Sequence, residues 1–164
     1  MKKISSIVLF AVGLSICSLA FALDEKPAAK SDHVMFSGAD LKWGDAPPSL
    51  PAGGKVAVLE GDPSKEGPFT IRLQMPAGYK IPAHTHPTAE HVTVISGTFN
   101  LGMGPKFDEA TIKEMPAGAY AVMPAGMQHF AGSKSGCVVQ VHGTGPFQVV
   151  YVLRPFQMSH PASS

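Results

Sequence analysis

Residues Gly78–Glu90 read GYKIPAHTHPTAE, and residues Gly118–His129 read GAYAVMPAGMQH. In the first stretch His84 and His86 stand two apart. Successive side chains of a strand alternate between its faces, so both imidazoles point to one side. One strand can thereby offer two nitrogen ligands to a single ion. Pro87-Thr88-Ala89 turns the chain, and Glu90 opens the next run, which can return beside the first and supply a carboxylate oxygen. In the second stretch His129 follows the turn Pro124-Ala125-Gly126 at the head of another strand. A lone strand histidine is more often a packed or surface residue, but three imidazoles with one carboxylate suit a borderline first-row divalent cation. His91 directly follows Glu90 and faces the other way, which argues against it as a ligand.

Around these stretches the sequence lacks sustained 3.6-residue periodicity. Glycines and prolines recur every several residues and isolate short β-branched or aromatic runs, the punctuation of an all-β domain. The runs predicted as strands are Lys55–Glu60, Phe69–Met75, Ala83–His86, Glu90–Ser96, Thr98–Met103, Ala110–Lys113, Ala119–Met123, Met127–Ala131, Cys137–His142 and Phe147–Leu153. Ser96-Gly97 reads as a tight hairpin turn, because glycine supplies positive φ. Many short antiparallel strands without helices imply a sandwich or barrel. Ala46–Gly54 holds Pro47, Pro48 and Pro51 and is no central strand, since proline lacks the ladder donor; it reads as an extended arm anchored by Trp43.

The N-terminal stretch carries Lys2 and Lys3, an apolar run from Ile7 to Phe21 and the small-x-small ending Ala20-Phe21-Ala22. It reads as a secretory signal peptide over 1–22; the run is too short and too interrupted by Gly13, Ser15 and Ser18 for a membrane span of roughly 20 apolar residues. The expected location is periplasmic or secreted, with a flexible leader over 23–39, the folded domain over 40–154 and a tail over 155–164. Of 13 basic residues two lie in the signal, while none of the 12 acidic ones does. The remaining near-neutral balance gives no electrostatic case for nucleic acid or an anionic membrane. Cys17 would leave with the signal, so Cys137 would be unpaired and, beside Val138 and Val139, buried.

Together the two quoted stretches, with Gly97 at its spacing after Glu90, resemble both signature motifs of the cupin superfamily. The resemblance implies a single-domain jelly-roll barrel with one divalent transition metal held inside by His84, His86, Glu90 and His129. One position departs: where the family often has asparagine, this chain has Ser133, which bears on loop geometry and not on the ligand set. More distantly, Val141-His142-Gly143-Thr144-Gly145-Pro146-Phe147 is similar to the tail of bacterial cupins related to ChrR-type sensor domains. An inward His142 would be a hydrogen-bonding partner or catalytic acid/base beside the metal; the alternative is a histidine capping the strand end.

Four protein ligands leave one or two positions open on a five- or six-coordinate ion, as a catalytic metal requires. Manganese, iron or zinc is favoured, and nickel or copper also fits the donor set. Phe99, Leu101, Met103, Met123, Met127, Phe130 and Phe147 are candidates for an apolar pocket wall, suited to a small organic acid or O2 at the ion. Tyr79, Tyr120, Arg72 and Gln128 are polar candidates without an assigned role, so dioxygenase, decarboxylase and isomerase chemistry stay unranked. The reading is a metal-dependent exported enzyme, of oxidoreductase or lyase type, acting on a small oxygenated substrate; the alternative is a non-catalytic metal- or ligand-binding module related to sensor cupins. Relatives in the family commonly form dimers through edge strands and the arm before the barrel, so a homodimer is one option and the sequence leaves the oligomeric state open.

Overall fold

The computed structural model describes residues 33–152. The segment read as a signal peptide, residues 23–32 of the leader and the tail lie outside the described residues. In chain order the strands are β1 (Gly44–Asp45), β2 (Lys55–Glu60), β3 (Gly67–Met75), β4 (Tyr79–Thr85), β5 (Glu90–Met103), β6 (Lys113–Pro116), β7 (Tyr120–Met123), β8 (His129–Ser133), β9 (Cys137–Gly145) and β10 (Val150–Tyr151). Short 3-10 helices occupy Gly38–Asp40 and Glu109–Thr111. Every pairing is antiparallel, in the order β1-β2-β3-β9-β5-β8-β4-β10, with β6 and β7 both on β5. This is the expected all-β jelly roll, a sheet curled around one core. No helix among the described residues is long and apolar enough to cross a membrane.

Alternation builds that core. On β3, Phe69, Ile71, Leu73 and Met75 point inward while Thr70, Arg72 and Gln74 point out. On β9, Cys137, Val139 and Val141 do the same, so the Cys137 thiol, free among the described residues, is buried as expected. Each large apolar side chain taken out of water contributes about 1.5–3 kcal/mol.

Strand β5 corrects the hairpin expected at Ser96-Gly97. The chain runs through as one strand: Glu90–Gly97 pairs with β7 and β9, and Thr98–Met103 pairs with β6 and β8. A register shift against β9 falls between Val94 and Ser96. The inward residues change parity across it, from Val92 and Val94 to Phe99 and Leu101. One extra residue keeps both halves facing the core where a plain strand would turn its second half outward. Gly97, at φ 72°, sits at this corner, and a Cβ there would overlap the Gly136 carbonyl. Two smaller corrections follow. Ala110–Thr111 is helical, with the strand shifted to Lys113–Pro116, and the last strand is reduced to Val150–Tyr151 within the described residues.

The proline-rich arm lies as expected outside the ladder. Tyr79 donates its hydroxyl to the Pro51 carbonyl at 2.5 Å, and Tyr151 donates to the Ser49 carbonyl at 2.7 Å. Trp43 is half-buried just before β1.

Candidate metal centre

Strand β4 carries a bulge that aims its histidines. Ile81 pairs with Ala131 and His84 with His129, so three steps on β4 face two on β8. The extra residue falls at Pro82-Ala83, where proline could not have donated to the ladder. Upstream, Tyr79 and Ile81 point inward; downstream, His84 and His86 do. His129 opens β8 and Glu90 opens β5, which brings all four side chains to one end of the barrel. The second motif's turn is fastened to the first, since Gly126 donates its N–H to the His86 carbonyl at 2.9 Å.

The three histidines are 3%, 4% and 1% exposed for His84, His86 and His129, and their ligand nitrogens lie within 4.8 Å of one another. Each Nδ1 meets a backbone carbonyl: Pro82 for His84 at 2.7 Å, Gln148 for His86 at 2.7 Å, and Met127 for His129 at 3.0 Å. A carbonyl oxygen only accepts, so each neutral ring carries its hydrogen on Nδ1 and turns the Nε2 lone pair inward. Glu90 Oε2 lies 3.4 Å from His86 Nε2 and 3.3 Å from His129 Nε2. The Glu90 side chain is 12% exposed.

Lone pairs from two nitrogens and a carboxylate face each other here, an arrangement that calls for a positive charge between them. His86 Nε2 is buried and has no hydrogen-bond partner among the described residues. Burial pulls the His84 pKa down to about 4, with the neighbouring His129 adding to the effect. Burial alone would raise Glu90, but the His129 and His86 rings facing it at 3.3 and 3.4 Å outweigh it and hold the carboxyl at about 2. For His129, burial works downward and the Glu90 carboxylate overrides it, so its pKa rises. Neutral Nε2 donors and an ionised carboxylate are the protonation states that metal ligands need. An orphaned buried nitrogen and a set of borderline N and hard O donors fit one divalent transition ion.

Aromatic rings pack behind the ligands. Phe147 stacks on His86 with centroids 4.4 Å apart at 15°, and the Tyr151 ring lies 6.1 Å from His84. The three holding carbonyls, and Tyr151, are features the sequence reading missed. A backbone carbonyl has no residue signature.

His142 is the residue the structure does not bring to this site. It pairs across the ladder with His91, and the two rings stack at 4.8 Å and 17°. Paired residues share a face, and His91 faces away from Glu90, so His142 lies on the outer face of the sheet, not inward beside the ion. His91 Nδ1 meets the Tyr120 hydroxyl at 2.7 Å on that same side. Arg72, two residues from Thr70 and opposite Gln140, shares it. Of the residues expected to wall a pocket, Phe99, Leu101 and Met123 are buried in the core, whereas Met103 and Met127 are exposed. Phe130 is fully buried but packs outward on Phe107, 4.9 Å away. Gln128 is exposed, and Tyr79 is engaged with the arm.

The comparisons agree with this fold. Residues 31–148 match the family described as the ChrR Cupin-like domain. The fold is similar to that of the polyketide cyclase RemF from Streptomyces resistomycificus, with a TM-score of 0.61 and 18% identity over 74% of this chain and 87% of that one. It is similar too to a putative acetylacetone dioxygenase from Methylibium petroleiphilum, with a TM-score of 0.59 and 18% identity over 75% and 84% of the two chains. An RmlC-like cupin from Shewanella frigidimarina follows at a TM-score of 0.55 and 19% identity, over 70% and 91%. None of the curated proteins matches the chain. With more than half its length matched by one family and with the jelly roll of these relatives, the chain belongs to the ChrR cupin-like family of the cupin superfamily.

Proposed function

We propose that this is an exported metal-binding cupin, holding one divalent transition ion through His84, His86, Glu90 and His129 and acting as a metal-dependent enzyme on a small oxygenated organic substrate. The observation that carries the metal assignment is the carbonyl lock on all three imidazoles, which leaves three Nε2 lone pairs with no protein donor to satisfy His86. Four protein ligands leave open positions, and a bound ion would supply Lewis-acid or redox chemistry there. The chain's own contribution is to fix the rings, to keep Glu90 ionised and to exclude water with Phe147 and Tyr151. The donor set favours manganese, iron or zinc, and a small organic acid or O2 is the expected partner of the open position. Export through residues 1–22 rests on their signal-like pattern.

A second reading, a non-catalytic metal- or ligand-binding module, has one observation in its favour: His142 faces outward and supplies no acid or base beside the ion. Elemental analysis of the mature protein tests the metal, with one equivalent per chain expected in the parent and little in His84→Ala. Equal metal in both would refute the ligand set. Oxygen uptake and product formation with small carboxylic acids and diketones then separate the readings, because one full equivalent of metal without turnover selects the binding module.

A further inference from the structure

Beside the metal centre lies a cavity of about 460 Å³ between the arm, the inner face of β2 and β3, and the segment 146–149. Its walls include Leu50, Val56, Val58, Ile71, Phe147 and Val149. The volume is within the range of small-molecule sites, and so is the mainly apolar wall. Among the described residues its charged wall residue is an anion, Asp45, which pairs with Lys55 at 3.1 Å, so the described wall offers no cation to hold an acidic group. The arm that roofs it is tied down by the Tyr79 and Tyr151 hydroxyls.

Phe147 joins this cavity to the ion. One side of its ring stacks on His86, and the residue also lines the cavity. Val149 lines the same cavity, while the carbonyl of Gln148 between them holds His86 Nδ1. The segment that walls the cavity is therefore the one that orients a metal ligand.

We infer that this cavity receives the apolar body of the substrate, an uncharged aliphatic or aromatic group whose oxygen-bearing head reaches the ion past Phe147, so that Phe147 limits the size of the body accepted. The inference rests on the metal-centre reading above. It narrows the substrate class to molecules with one anionic or carbonyl oxygen terminus and an apolar remainder, and it disfavours sugars and dicarboxylates with a charged far end.

The test is a chain-length series on the mature protein loaded with Co(II), whose visible spectrum changes when a head group reaches the ion. Acetate, butanoate, hexanoate and octanoate are titrated in turn. Each added methylene is expected to tighten binding by up to about fourfold until the cavity is full. Val58→Trp, at a half-exposed wall position remote from the ligands, is expected to abolish the gain for hexanoate and octanoate and to leave acetate affinity and metal content unchanged. Ser64→Trp, from another wall, should do the same and guards against a folding defect in the first variant. A flat series in the parent, a series untouched by both variants, or alkanoates that never perturb the Co(II) spectrum would each overturn the cavity inference alone. Failure of the parent to take up Co(II) would overturn the metal reading and this inference with it.

Discussion

Replacing His86 by alanine isolates one ligand, and the consequence follows from its position. His86 Nε2 is buried without a partner beside Glu90; alanine removes a nitrogen donor and leaves a gap against Phe147. Losing even an outer hydrogen-bonding partner of a metal ligand weakens binding about 10- to 100-fold, so losing the ligand itself raises Kd by at least about 100-fold. With metal at about 100 times the parent's Kd, binding stabilises the folded parent by about 2.7 kcal/mol. The same concentration sits near the variant's Kd and stabilises it by only about 0.4 kcal/mol. For a chain of this length about 2 kcal/mol corresponds to roughly 4–8 °C in Tm. Differential scanning fluorimetry with and without saturating Zn(II) or Mn(II) reads the difference directly. The parent should show the full metal-dependent rise, His86→Ala almost none, and His91→Ala the full rise, because His91 stacks on His142 at the other face. A full rise in His86→Ala, or its loss in His91→Ala, would refute the geometric argument.

Further outcomes follow from individual contacts. The Glu90 carboxyl is held at about 2 against an ordinary 4.5, so its contribution to the metal-free protein is complete above about pH 4.5 and lost as pH falls toward 2; the stability gap between parent and Glu90→Gln in urea melts should narrow over that window, and a constant gap would contradict it. Metal uptake near neutral pH should release protons in proportion to the protonated share of His129, whose pKa Glu90 raises, and calorimetry in buffers of different ionisation enthalpy measures this. Gly97→Ala combines positive φ with overlap on the Gly136 carbonyl and should lose more than about 2 kcal/mol, while Gly118→Ala, strained in φ but open, should lose only about 1 kcal/mol. Tyr151→Phe removes the bond to the Ser49 carbonyl and should cost about 1 kcal/mol in a urea melt with metal content unchanged.

The all-β class was legible because the glycines and prolines mark strand ends, and because Phe69 to Met75 and Cys137 to Val141 alternate without interruption. The gathering of His84, His86, Glu90 and His129 was legible from the His-x-His spacing and the motif resemblance. Strand β5 was misread at Ser96-Gly97 for a physical reason: a two-residue turn and a bulged corner both want a glycine at positive φ. What separates them is the change of parity from Val94 to Phe99, which has meaning only once β8 and β9 are known to flank the two halves. His142 was indeterminate for the same cause. Which face a strand residue takes depends on register, and the register of β9 on β5 is set by contacts far away in sequence.

The β4 bulge ties these threads together. Were this sequence to run through Pro82-Ala83 as a plain strand without the bulge, continued alternation from Tyr79 and Ile81 would place His84 and His86 on the solvent side, and the His-x-His spacing would present both rings to water. The bulge reverses the face, and the Pro82 carbonyl it releases from the ladder is the one that accepts from His84 Nδ1. One local irregularity thus aims the ring and selects its tautomer. His129 meets the carbonyl two residues before it, as His84 does, at the end of the Pro124-Ala125-Gly126 turn. His86 depends instead on Gln148, 62 residues away, so its orientation is the one that reports whether the segment carrying Phe147 is in place. Two of the rings are set by their own strands and the third by the wall of the neighbouring cavity, so under the proposed metal reading His86 is where occupancy of that cavity would bear on affinity for the ion.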